Sequence, residues 1–120
     1  MDFWRATAAA TSGPTVELGC GAGRILAALS TADRALIGLD LDDAALSLAR
    51  KRLPGAELIQ ADLLTWTPPE TLRHGAGLVI AGGDLLPLFT EATDLERLFA
   101  QASTLLSPGG IFGIDATLID

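Results

Sequence analysis

Tyrosine is absent from this chain of 120 residues, and cysteine, histidine and methionine occur once each. A single cysteine, Cys20, cannot close an internal disulfide, which suits a reducing cytoplasm. With no second cysteine and no partnered histidine there is no metal-ligand spacing. The chain also offers no tyrosine or well-placed histidine as a general base. No apolar run approaches the roughly 18 residues of a membrane span, and the N-terminus lacks the charge and apolar pattern of a signal peptide. Cations are scarce. Eight Lys and Arg against fifteen Asp and Glu give a net charge of −7 and a pI near 4.4. Such a surface repels phosphate backbones and disfavours nucleic-acid binding.

What the chain has in quantity is apolar residues, 49%, and glycine, 13 of 120. That composition fits a buried parallel sheet joined by tight turns, and the length fits one domain with one hydrophobic core. Strand-like runs at Thr15–Leu18, Ala35–Leu39, Ala56–Gln60, Gly77–Ala81 and Ile111–Ala116 alternate with helical periods. The alternation implies parallel pairing through right-handed crossovers. A helix is expected to start at Asp42 as N-cap and to end in Arg50, Lys51 and Arg52 ahead of Pro54-Gly55. A longer one is expected after Thr93, with Leu95, Leu98, Phe99, Ala102, Leu105 and Leu106 on one face. Thr93 and Glu96 read as a capping box, and Ser107-Pro108-Gly109-Gly110 as the stop. Residues 1–12 read as an N-terminal helix or arm.

The densest signal is Val16-Glu17-Leu18-Gly19-Cys20-Gly21-Ala22-Gly23-Arg24. A short apolar strand ends in an acid, runs into three glycines at alternate positions and gives way to a helical pattern from Ile25. Glycines let a backbone approach a ligand closely, and a helix start presents unpaired N–H groups. Both point to a nucleotide-type cofactor. A dinucleotide fingerprint wants glycine or alanine where this chain has the bulky Arg24. The pattern E-x-G-x-G-x-G instead resembles the first motif of the class I S-adenosylmethionine-dependent methyltransferases. With the acidic end of the second strand and Leu105–Ala116, the resemblance runs from Phe3 to Ala116. It looks nearest to small bacterial enzymes of the glycine N-methyltransferase-like and sugar N-methyltransferase-like branch.

The resemblance implies a Rossmann-like, doubly wound α/β sheet in the order 3-2-1-4-5. The family's usual C-terminal strands 6 and 7 are lacking, so residues 1–120 would be a short or truncated core. It implies S-adenosylmethionine as cofactor and a site residue by residue. Glu17 would hold the ligand's ammonium group, or else cap the turn. Gly19, Cys20, Gly21 and Gly23 would line the methionine moiety, with Cys20 as small apolar packing. Asp40 would accept from both ribose hydroxyls and Leu41 would pack on the adenine face, while Asp42 and Asp43 serve the helix start. Asp62 would accept from the exocyclic amine and Leu63 would offer its N–H to the ring, or Asp62 would form an Asx-type turn. A carbonyl at Ala81 or Gly82 would receive the ammonium. Asp84 would pair with an amine substrate or cap a turn. Trp66 would cover the cofactor edge or pack, as would Phe3 and Trp4. His74 reads as a solvated loop residue.

The expected function is transfer of a methyl group to a small molecule, with a lean towards nitrogen acceptors. No catalytic residue is identified. The alternatives are a core that binds the cofactor without turnover and a nicotinamide-dependent dehydrogenase. The fifth strand is apolar, and mean hydropathy is +0.41. Self-association through its edge is therefore expected.

Overall fold

The structure, a computed structural model, describes residues 2–82 and 91–114. Five strands form one sheet, β1 (Thr15–Leu18), β2 (Leu36–Asp40), β3 (Glu57–Gln60), β4 (Ala76–Ala81) and β5 (Leu106–Ile114). Their order is β3-β2-β1-β4-β5 and every pairing is parallel. The central strands are buried throughout. That is why their sequences read as continuous apolar runs rather than alternating ones. All five expected strands are found. β5, however, begins at Leu106 rather than Ile111, and residues 115 and 116 of the expected fifth strand lie outside the described residues.

Helices cover both faces. On one side α1 (Asp2–Ala9), α2 (Arg24–Leu29) and α3 (Asp43–Arg52) bury Trp4, Ile25, Leu26 and Leu46 with Leu78 and Ile80. On the other side α4 (Ala92–Leu105) sets Leu98, Ala102 and Leu105 against Val16, Leu18, Ile37, Leu39 and Val79. The strand period of two decides which residue faces which layer. In β1, Val16 and Leu18 face α4, which leaves Glu17 on the side of α2.

The start of α3 is as the sequence states it. The Asp42 side chain accepts from the amides of Ala44 and Ala45 at 3.0 and 3.3 Å, and the three cations sit in the last turn. The capping box at Thr93 is not formed. α4 starts at Ala92 with Glu91 as an extended N-cap that makes no side-chain cap bond. Thr93 is thus inside the first turn, with helical backbone, and cannot act as a cap. The helix stops just ahead of Ser107–Gly110, as the sequence implies. β5 follows α4 directly, and the pairing jumps from Ala76↔Leu106 to Leu78↔Ile111. One residue of β4, Gly77, therefore faces four of β5. Gly109, at φ 81°, absorbs this bulge.

Candidate cofactor site

Ligands of open α/β sheets sit beyond the carboxyl ends of the strands, at the point where strand order reverses. Here that point lies between β1 and β4, with the loop Gly19–Gly23 above it. Gly19, Gly21 and Gly23 have φ of 76°, 56° and 82°, a backbone that side-chain-bearing residues adopt at a cost. The glycines serve different ends. A Cβ on Gly23 would lie 2.8 Å from Leu53 Cδ1 and 3.2 Å from Ala49 Cβ, so this glycine lets α2 pack on α3. A Cβ on Gly21 would meet nothing within 4 Å, so this backbone faces open space.

Two carboxylates define the chemistry beneath that loop. The Asp40 Oδ2 atom accepts from the Gly21 amide at 2.7 Å, and Oδ1 accepts from the Asp42 amide at 2.9 Å. The Gly19 and Cys20 amides both donate to Leu39 O at 2.8 Å. So the glycine turn is capped by Asp40 and the end of β2, not by Glu17. Each Asp40 oxygen keeps acceptor capacity, because a carboxylate has about four acceptor positions.

Glu17 is 2% exposed, and its Oε1 has no hydrogen-bond partner among the described residues. Its register neighbours are Gly38 and Ile80. A Cβ on Gly82 would lie 2.5 Å from Ile25 Cδ1, 3.3 Å from Ile80 Cγ2 and 3.5 Å from Glu17 Oε2. Among the described residues, the acid thus stands near Gly82, with the apolar Ile25 and Ile80 close by. Desolvation, then the charge of Asp40, push its pKa from 4.5 up to about 8, and Arg24 opposes them. A buried acid without a partner among the described residues costs folding energy.

Leu41, at the end of β2, is 64% exposed, a large apolar surface beside the Asp40 carboxylate. Asp62 forms the Asx-type turn, its Oδ1 accepting from the Leu64 amide at 2.9 Å. Leu63 is buried. Ala81 and Gly82 are buried at the end of β4, while Gly83 and Asp84 lie outside the described residues. Cys20 is buried with its Sγ filling the space left by Gly38. Desolvation and the acids Glu17 and Asp40 push its thiol up to about 12, which makes it packing and not a nucleophile.

Trp66 packs half-buried against the α4 layer. Trp4 is core, lying over Gly113 of β5, whereas Phe3 is exposed and meets only the edge of Trp4. His74 is exposed. It lines a cavity of about 540 Å³ with Phe99 and Phe112, between α4 and β5 and away from the glycine loop.

Gln101 is the residue that motif reading passes over. Buried in α4, it donates from Nε2 to Leu63 O at 2.7 Å and Trp66 O at 2.5 Å, fixing the segment after β3. Its one signal in the sequence is a polar residue on the helix face of Leu98, Ala102 and Leu105.

The fold is a doubly wound α/β domain with a glycine loop and the carboxylates of Glu17 and Asp40 at the strand-order reversal. The methyltransferase domain family matches residues 16–110, and the chain belongs to this family of S-adenosylmethionine-dependent enzymes. Among sequence relatives, the trans-aconitate 2-methyltransferase of Methylobacterium radiotolerans is 39% identical over 101 residues, covering 82% of this chain and 36% of the relative. That of Sinorhizobium fredii is 36% identical over 105 residues, covering 86% and 38%. The chain thus spans little more than a third of the length of these curated relatives. Among solved structures, the S-adenosylmethionine-bound amino pentose methyltransferase CalS10 of Micromonospora echinaspora superposes with TM-score 0.78 at 27% identity, covering 94% of this chain and 46% of its own. The glycopeptide N-methyltransferase MtfA, complexed with S-adenosylmethionine, does so with TM-score 0.76 at 28% identity, covering 93% and 52%.

Proposed function

We propose that residues 1–120 are the cofactor-binding core of a small-molecule methyltransferase that uses S-adenosylmethionine. The observation that carries this reading is the buried Glu17 carboxyl, its Oε1 without a partner among the described residues, beside a glycine loop tied to Asp40. Glu17 meets the ligand's ammonium, with a carbonyl of Ala81 or Gly82 as second acceptor. Gly19, Cys20, Gly21 and Gly23 run along the methionine part. Asp40 turns its free acceptor positions to the ribose hydroxyls, Leu41 covers the adenine face, and Asp62 and Leu63 take its polar edge. When bound, the cofactor supplies a sulfonium-activated methyl group. The chain's own contribution is to fix that group in position and keep water from it.

An amine acceptor attacks without a base, in keeping with the lack of tyrosine and the remote His74. Likeness to MtfA and CalS10 supports a nitrogen-bearing small molecule, and likeness to the trans-aconitate enzymes a carboxylate one. The same reading includes a cytoplasmic setting, no nucleic-acid partner and self-association at the edge of β5. The charge of −7 supports the second. No helix among the described residues is long and apolar enough to cross a membrane. The chain's short span of its relatives favours one alternative, a core that binds the cofactor but turns over only with further parts.

Calorimetry tests the reading. S-Adenosylmethionine and its demethylated product should bind and NAD should not. Asp40→Ala should weaken binding by about 30- to 1000-fold, the equivalent of 2–4 kcal/mol for losing a charged acceptor of two hydroxyls. Asp43→Ala should stay within about fivefold. Equal losses at the two positions, or binding of NAD, would refute the site. Methyl transfer to candidate amines then separates the enzyme from the binding core.

A further inference from the structure

Glu17 is 2% exposed, and its Oε1 has no hydrogen-bond partner among the described residues. Its Oε2 would lie 3.5 Å from a Cβ on Gly82, a position that also comes close to Ile25 Cδ1 of α2 and Ile80 Cγ2 of β4. The titratable and charged groups that act on the carboxyl, among the described residues, are three. Asp40 comes from β2, Cys20 from the glycine loop, and Arg24, exposed, from the start of α2. One is a like charge, one is a thiol held neutral, and the single opposite charge is in water, where its attraction is screened. An ion in such a place has neither hydration nor a partner among the described residues, so the carboxyl keeps its proton.

We propose that a ligand bearing an ammonium group can occupy this site only by expelling the proton of Glu17 to solvent, so that cofactor binding and proton release are one event. This rests on the proposed cofactor site. The balance is simple. A ligand ammonium, which keeps its own three hydrogens, meets Glu17 as the neutral acid. The product is the ammonium–carboxylate pair in the site and one proton on the buffer. The incoming cation supplies an opposite charge with donors, and thereby stabilises the ionised form.

The direction with pH follows. The carboxyl titrates near pH 8 in the free chain. At pH 7 binding must therefore release close to one proton, roughly 0.9 by simple titration arithmetic. Below that range affinity falls about tenfold for each pH unit, because the competing proton is bound more fully. Above it the gain stops, and the ligand's α-amino group begins to lose its own charge at about pH 8. Affinity is thus greatest near pH 8. A ligand with the same nucleoside and thioether but no amino-acid end leaves Glu17 protonated and binds without release.

The experiment is calorimetry of the wild-type chain at pH 7 in buffers of differing ionisation enthalpy, with S-adenosylhomocysteine and with methylthioadenosine as probes. The expected result is an observed enthalpy that rises with buffer ionisation enthalpy at a slope of about one proton for the first ligand and about zero for the second. Glu17→Gln should abolish the slope for S-adenosylhomocysteine and leave methylthioadenosine affinity within about threefold. If S-adenosylhomocysteine binds with a heat independent of buffer, the coupling is wrong and the cofactor site survives. If neither probe binds, the cofactor site and the coupling both fail. Equal slopes for the two probes would also overturn the coupling, since the proton would then come from elsewhere.

Discussion

Glu17 makes the ligand-free chain less stable than a neutral residue of the same shape would. Its carboxyl pKa is raised by burial and by Asp40 from 4.5 to about 8 on folding, so between those values the folded state holds a proton that the unfolded chain has released. Stability tied to this group is complete below the unfolded pKa and is lost as pH rises through about 8. The full cost above pH 8 is on the order of 5 kcal/mol, since one pH unit between the folded and unfolded pKa values corresponds to about 1.4 kcal/mol. Glu17→Gln removes the charge and keeps the volume. The variant should melt within a few degrees of the parent at pH 5 and roughly 20 °C above it at pH 9. Melting curves at the two pH values give the answer, and a difference that does not change with pH would refute a buried, titrating carboxyl. That this acid would be buried near the end of a strand was legible in the sequence, from the apolar run around it. Which residue caps the turn was not legible. That depends on the parallel register Leu18↔Leu39, which brings the end of β2 under the glycine loop, and register is a property of the folded sheet.

Elements defined by local chemistry were legible, and those defined by tertiary contact were not. Asp42 caps α3 through bonds to residues two and three places on, and sequence spacing alone specifies them. Thr93 has the same local signature, but the chain enters α4 earlier, at Glu91, and the signature is overridden. The bulge in β5 is likewise non-local, since it depends on which β4 residues the strand meets. Gln101 belongs to this second kind, joining α4 to carbonyls 35 and 38 residues away in sequence. Its removal gives a prediction at the scale of the element. Gln101→Ala would leave the carbonyls of Leu63 and Trp66 without their buried donor, at a cost of about 1–3 kcal/mol. The segment after β3 carries Asp62 and Leu63. Amide exchange should therefore quicken at Leu64, Thr65 and Trp66, whose N–H groups bond to Asp62. Urea unfolding and residue-resolved exchange measure the two effects. A uniform loss of protection over all strands would mean that Gln101 supports the core in general and not this segment.

For the whole molecule the open question is an edge. Among the described residues the sheet has two, β3 and β5. β3 presents Glu57 and Gln60 to solvent, and charge of that kind discourages pairing with another chain. β5 carries no charged residue from Leu106 to Ile114. Trp4 covers one face of it at Gly113, and Phe99 meets Phe112 in an edge-on contact at 5.6 Å. Its outer edge has no partner among the described residues. Pro108 and the bulge at Ser107–Gly110 blunt the first half, because proline lacks a donor and a bulge twists the ladder away. The flat part is therefore Ile111–Ile114, with Ile111 37% exposed. Four residues are enough to register one antiparallel pairing with the same strand of a second copy, an arrangement that two-fold symmetry closes. The chain at micromolar concentration should scatter light as a dimer or larger species. Ile111→Lys, which places a charge on the edge without emptying the core, should return it to a monomer with unchanged melting. A parent chain that is monomeric across that range would show that the edge is covered from within, and pairing between copies at Ile111–Ile114 would be ruled out.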